Sequence, residues 1–239
     1  MSVHRLGLGT RLRLLATGAS TAALALVLFA CSDADGPDPS SPEGRASVAL
    51  LRAAADGDVP AARAALDDGA DTEVRNRAGR TPLLVATRAD QADVALLLLE
   101  SGADPNATDH LEDSAFLYAG AEGRDEILRA TIEHGADVTS TNRFGGTALI
   151  PASEHGHVST VRILLAAGVP VDHVNDLSWT ALHDAIVLGT GSPQHVETVR
   201  LLIEAGADVT IPDGNGDLPV ELAAARGYDD IVDLLEQAG

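Results

Sequence analysis

Beyond residue 45 the chain sets its apolar side chains in short stripes, three and four residues apart. Leu83 and Ala86 form one stripe, and Val94, Leu97 and Leu98 form the next. This spacing places each stripe on one face of a short helix. Neither helix can bury its stripe alone, so the pattern demands stacking against similar neighbours. Two markers give the period. The glycine of a Gly-Ala or Gly-Val step falls at Gly69, Gly102, Gly135, Gly168 and Gly206, at spacings of 33, 33, 33 and 38 residues. A hydroxyl marker runs through Thr81, Ser114, Thr147 and Thr180, again 33 residues apart, and continues at Leu218 after 38. Both markers place one five-residue lengthening in the same unit.

The hydroxyls suit helix N-caps, where the side-chain oxygen accepts an orphan backbone N–H. The glycines suit left-handed caps after the second helix of each unit. Pro151 falls in the first turn of its helix, where a missing N–H costs little. Asp230, Asp233 and Glu236 alternate with Ile231, Val232, Leu234 and Leu235, the polar outer face that a terminal helix requires.

The recurring segments are Gly79-Arg-Thr-Pro-Leu-Leu-Val-Ala, Gly146-Thr-Ala-Leu-Ile-Pro-Ala, Trp179-Thr-Ala-Leu-His-Asp-Ala and Leu218-Pro-Val-Glu-Leu-Ala. A glycine turn, an aliphatic helix such as Val161-Arg-Ile-Leu-Leu and a Gly-Ala-Asp step complete the unit. These units resemble ankyrin repeats. The resemblance implies an all-α repeat solenoid, a stack of helix-turn-helix units with hairpin fingers, over residues 46–239. About six units are expected, a cap at 46–75 and then 76–108, 109–141, 142–174, 175–211 and 212–239. The chain departs from the pattern at Leu117, in a histidine slot, at Glu112, in a turn-glycine slot, and at Leu218, in a threonine slot. The lengthening is centred on Leu188 to Glu197.

The beginning of the chain follows a different logic. Arg5, Arg11 and Arg13 precede an uncharged, largely apolar run from Leu14 to Ala30. A basic flank, an apolar run and a small residue make the order of an export signal. The run is also about as long as a short membrane span, so an uncleaved anchor is the competing reading. Leu28-Phe29-Ala30-Cys31 resembles the lipobox of bacterial lipoproteins. That implies a signal peptide over 1–30, cleavage after Ala30 and a diacylglyceryl group on Cys31. Acyl chains contribute about 0.8 kcal/mol per buried methylene, so two of them hold a protein stably on a bilayer. Residues 31–45 then read as the lipidated cysteine and a flexible tether, rich in proline and without large apolar residues. Ser41-Pro42-Glu43 is a helix-start signal that can bring the first helix forward.

Composition removes most chemistry. The formal charge is −20, and the 16 basic residues are all arginine. Mechanisms that need a catalytic or phosphate-binding lysine are excluded, and so strong an acidity argues against nucleic acid. The single cysteine excludes an internal disulfide framework and a cysteine-based zinc cluster. His155 and His157 flank Gly156, but nothing nearby completes a zinc set. His157 matches the Gly-His step of ankyrin turns. His183 next to Asp184 hints at a hydrolase fragment, yet no nucleophile elbow accompanies it. The resemblance instead gives His183 an inter-repeat hydrogen-bonding role. Asp71, Asp104, Asp137 and Asp208 lie one per unit, roughly 10 Å apart, too far to share a calcium ion. No cofactor, no metal and no enzymatic activity are expected.

What is left is a binding surface. The fingertip slot holds Ala78, Leu111, Phe144 and Leu177, with Trp179 beside the last. Tyr118 and Glu122, then Glu154 and His155, occupy variable first-helix slots. Aligned apolar and aromatic residues on an exposed face mark interaction sites. The alternative is that Phe144 and Trp179 fold back onto neighbouring hairpins as packing. The expected partner surface is therefore Leu111, Tyr118, Phe144, Leu177 and Trp179, on a monomer anchored to an envelope membrane and facing out of the cytoplasm. The expected function is non-catalytic protein–protein binding as a scaffold or regulator. Some exported bacterial ankyrin proteins are associated with peroxide defence, so the resemblance also allows an accessory role for an exported enzyme.

Overall fold

The computed structural model describes residues 40–239, and the expectations for the signal segment and Cys31 lie outside them. The described residues form twelve helices in six pairs, without a β-strand. The pairs are α1 (Pro42–Asp56) and α2 (Val59–Asp67), α3 (Pro82–Arg88) and α4 (Ala92–Glu100), α5 (Ala115–Ala121) and α6 (Asp125–Glu133). They continue with α7 (Leu149–Glu154) and α8 (Val158–Ala166), α9 (Ala181–Val187) and α10 (Pro193–Glu204), and α11 (Pro219–Arg226) and α12 (Asp229–Ala238).

Within each pair the two helices pack antiparallel neighbour to neighbour. Along the chain, first helices stack on first helices and second helices on second helices. The result is a two-layered solenoid with one continuous apolar core. Small side chains set the close spacing of the first layer: Ala53, Ala86, Ala119, Ala152, Ala185 and Ala223 recur at one slot and are all buried. Beside them Leu50, Leu83, Phe116, Leu149 and Leu182 fill the space between layers. At the far end, Asp230, Asp233 and Glu236 are exposed while Ile231 and Leu235 are buried, so α12 closes the stack with a polar face.

Helix starts follow the hydroxyl marker in part. Thr81 Oγ1 accepts the Leu84 N–H at 3.3 Å, and Ser114 Oγ accepts that of Leu117 at 3.1 Å. Unit four is the exception. Its helix begins at Leu149, after Ala148, and the buried Thr147 hydroxyl has no partner among the described residues. Pro151 explains this. In unit two the Thr81 carbonyl takes the N–H four residues on, that of Val85. Pro151 has no N–H to offer, so the Thr147 carbonyl takes the Ile150 N–H at 3.2 Å and draws it away from the hydroxyl. Unit six solves the loss of its threonine differently: Glu221 reaches back and accepts the Leu218 N–H at 2.8 Å.

The first helix starts at Pro42, so residues 42–45 belong to α1 rather than to the tether. Ser41 Oγ accepts the Gly44 N–H at 2.9 Å, Pro42 stands at the first helical position and Glu43 lies in the first turn. Gly44 and Ala46 are already buried there.

The glycine marker is explained by backbone handedness. All five glycines, Gly69 to Gly206, have φ between 82° and 91°. The finger turn has the same requirement at Gly79, Gly145 and Gly216, but Glu112 and Ser178 stand in that slot with φ of 62° and 63°. A side chain in this region costs about 1 kcal/mol or more. Glu112→Gly and Ser178→Gly are each expected to stabilise the chain by about 1 kcal/mol. Urea unfolding curves would check this, and an unchanged midpoint in both variants would remove the argument.

Candidate functional site

The face that fingers and first helices share is built from a repeated turn. Asn76 Oδ1 accepts the N–H groups of Ala78 and Arg80 at 2.9 and 3.1 Å. Asp109 does the same for Leu111 and Asp113, Asn142 for Phe144 and Gly146, Asn175 for Leu177 and Trp179, and Asp213 for Asn215 and Asp217. A backbone bond closes each finger behind that side chain, as between Asn142 N–H and the Gly146 carbonyl at 2.9 Å. These five turn-head residues were not singled out in the sequence analysis. Their signal is an Asn or Asp at the same 33, 33, 33 and 38 spacing, five residues before the hydroxyl marker.

The rigid turns hold the fingertips away from the core. Leu111 is 45% exposed, Phe144 55% and Leu177 60%, three consecutive apolar tips. Trp179 is half-buried at the base of the unit-five finger, with its backbone N–H bonded to Asn175. Tyr118 is half-buried on α5. The fingers are also joined to one another. The Asp176 N–H donates to the Phe144 carbonyl at 3.0 Å, and His173 Nε2 donates to that of Gly145 at 2.6 Å.

Arginines frame the tips of units two to four. Arg143 lies 4.5 Å over the Phe144 ring, and Arg88 lies 4.2 Å over that of Tyr118. Arg88 and Arg143 approach the Asp113 carboxylate to 3.3 and 3.8 Å, and Arg80 pairs with Asp109 at 3.0 Å. Burial works against the charge on Asp109, but Arg80 and the Leu111 and Asp113 N–H groups outweigh it and hold its pKa low. Burial, and then the neighbouring Asp109, push Asp113 upward against its three arginines.

The one-per-unit aspartates serve their own loops. Asp104, Asp137 and Asp208 each accept the N–H two residues on, at 2.8 to 2.9 Å. Their own N–H groups are held by the preceding unit, at Glu73, Asn106 and Asp172. This stitches the loops into a ladder. Among the described residues, no group of three or more His, Cys, Asp or Glu could hold a metal ion.

The histidines are tied into structure. His155 and His157 stack with ring centroids 5.4 Å apart, and burial, then His155, lowers the pKa of His157. His183 Nδ1 accepts the Thr180 N–H at 3.1 Å and faces the Thr180 hydroxyl at 2.9 Å. Burial keeps its imidazole neutral despite Asp213 and the Ile211 carbonyl. The lengthened segment is anchored by His195. Its Nε2–H donates to the Glu154 carbonyl of unit four at 2.9 Å, which leaves Nδ1 to accept from the Ser192 hydroxyl, also at 2.9 Å. Tyr228 of unit six donates to the Gly189 carbonyl at 3.1 Å. Asp184 is the anomaly: it is only 3% exposed, one carboxylate oxygen has no partner, and burial, then Glu154, raise its pKa to about 7.

Among the described residues no helix is long and apolar enough to cross a membrane. The chain matches the family model for ankyrin repeats (3 copies) over residues 16–109 and 116–213. A crystal structure of an ankyrin repeat domain from Acinetobacter baumannii AYE is 50% identical in sequence. It superimposes with a TM-score of 0.78 over 80% of this chain and 97% of that one. The crystal structure of EF0377, an ankyrin repeat protein, is 38% identical with a TM-score of 0.77, covering 80% and 98%. The ankyrin repeat protein YahD of Escherichia coli (strain K12) is 43% identical over 58 residues, which span 24% of this chain and 29% of that relative. The repeated finger turns, the paired helices and these matches together establish that the chain belongs to the ankyrin-repeat family.

Proposed function

We propose that this chain is a lipid-anchored, extracytoplasmic binding protein that holds or regulates a protein partner on the fingers and first helices of units three to five, without catalysis of its own. Ankyrin repeats are protein–protein interaction modules, which supports the coarse reading. The observation that carries the finer one is the run of three exposed apolar tips, Leu111, Phe144 and Leu177, on turns too well bonded to collapse. Rigid apolar anchors cost little entropy on binding, and such residues dominate interface energetics. Trp179 and Tyr118 flank the tips at half burial and extend the surface inward. Arg77 and Arg143 are exposed on the fingers, and the acidic remainder of the chain favours a basic partner surface and a fast association at low salt.

The export address rests on the Leu28 to Cys31 motif. Crosslinking in the native host, followed by recovery of bound protein, tests the face. Alanine at Leu111, Phe144 and Trp179 together is expected to reduce recovery of the partner more than tenfold, since two hot-spot losses of about 2 kcal/mol already exceed that. Undiminished recovery of every partner would place the interface elsewhere. Mass spectrometry of the membrane fraction is expected to find a lipid-modified Cys31 as the amino terminus. An intact Met1 with free Cys31 would refute the anchor.

A further inference from the structure

We propose that Glu154 and Asp184 form a receptor for one cationic side chain of the partner, an arginine or lysine, on the inner face between units four and five. This deepens the reading of the inner face as the binding surface and rests on it. The repeat itself provides the comparison. Arg88 stands seven residues after the hydroxyl marker of its unit, and Tyr118 stands four after the marker of the next. Those two slots meet across the unit boundary, with the guanidinium 4.2 Å from the ring centroid. Glu154 and Asp184 hold the same two slots two boundaries further on, after Thr147 and Thr180. Where units two and three fill the junction with a cation of their own, units four and five bring two acids together.

Neither carboxylate has a cation among the described residues. Asp184 is almost wholly buried, and its Oδ2 is sealed from solvent without a hydrogen-bond partner. Such an oxygen in a folded core is costly, and a donor brought to it is correspondingly favoured. The elements packed on α9 do not supply it. Glu154 of α7 is the charge that acts on Asp184, and it repels. On α10, Arg200 pairs with Glu197 at 3.2 Å. On α11, Arg226 donates to the Leu222 and Val187 carbonyls, and Glu221 caps its own helix. His183, beside Asp184, is neutral. The site is also held in place, because His195 pins the Glu154 backbone at 2.9 Å and His155 Nδ1 donates to the Pro151 carbonyl at 2.8 Å. A buried acid of raised pKa carries a proton near neutrality. A docking ammonium or guanidinium replaces that proton and gives the orphan oxygen a donor.

The test titrates the full chain with N-acetylargininamide and N-acetyllysinamide, with N-acetylglycinamide as uncharged control, and follows the side-chain carboxyl resonances by NMR. Saturable shifts at Glu154 and Asp184 are expected with the cations alone. Affinity is expected to rise about tenfold from pH 6 to pH 8 as Asp184 loses its proton. Asp184→Asn, which keeps the shape, should abolish that rise. Glu154→Gln, at a half-exposed position, should weaken binding severalfold. Non-saturating shifts spread over many surface acids, an affinity independent of pH, or unchanged binding in Asp184→Asn would each overturn the proposal. The probes are too small to engage the fingertips. Their failure therefore leaves partner binding by Leu111, Phe144 and Trp179 standing, whereas failure of the alanine test removes that reading and, with it, the partner proposed for this site.

Discussion

Asp184→Asn is expected to stabilise the chain at pH 8 by an amount of the order of 4 kcal/mol and to change it little at pH 4. In the unfolded chain the carboxyl titrates near its ordinary value of about 3.9. In the folded chain burial, reinforced by Glu154, moves it to about 7. Below pH 4 both states hold the proton and the group is neutral in its effect. Between those values the native state binds a proton that the unfolded state has released, so stability falls by about 1.4 kcal/mol per pH unit as pH rises. Above pH 7 the charge is forced into the core and the loss is complete. Asparagine has the outline of the protonated acid without its proton, so it removes the penalty. Glu154 is the charge that sets the second part of the shift, and Glu154→Gln should recover a smaller share. Urea unfolding of both variants beside the parent chain at pH 4, 6 and 8 measures the effect. Equal stability of parent and Asp184→Asn at pH 8 would show that the carboxyl is solvated. A stability gain paired with a loss of cation binding would be the mark of a residue retained for recognition at the expense of stability.

The architecture was legible because repetition makes each unit a control for the others. Leu83, Phe116, Leu149 and Leu182 occupy one slot, and a single substitution of size, such as phenylalanine for leucine, cannot hide the period. The fingertips were legible for the same reason: Leu111, Phe144 and Leu177 break a polar context at a fixed interval. Contacts that run between units were not. Nothing local in the sequence says that the Glu154 charge acts on Asp184 thirty residues later, or that neither finds a cation. The hydrogen-bonding heads of the fingers, Asn76 to Asp213, carry their spacing in the sequence but not their role. Asn and Asp are read as ordinary loop residues until an acceptor position is needed for two N–H groups at once. Thr147 failed as a cap because of a proline four residues on, a coupling through the backbone that a list of cap-forming residues does not contain.

Gly189→Ala is the other substitution of large expected effect, with a loss of roughly 3 kcal/mol. The lengthened segment of unit five, Leu188 to Glu197, acts in the structure as a clamp. His195 ties it back to unit four through the Glu154 carbonyl, and Tyr228 ties unit six to it through the Gly189 carbonyl. Gly189 accepts the Tyr228 tie on its carbonyl and lies against the His195 ring. A methyl group there would overlap the Ala185 carbonyl oxygen and the His195 ring, and the first of these is backbone that cannot turn aside. Relief requires the segment to lift from α9, which breaks both ties together. In a solenoid each unit is held by its neighbours alone, so the damage should remain local. Amide exchange is expected to accelerate in α11 and α12, where unit six has no further unit to lean on, while α3 to α6 keep their protection. His195→Ala should reproduce the unit-four half of the effect at lower cost, since it removes a hydrogen bond and ring packing without forcing an overlap. Uniform loss of protection along the whole stack would mean instead that the six units unfold as one, and that the segment is only another part of a single cooperative core.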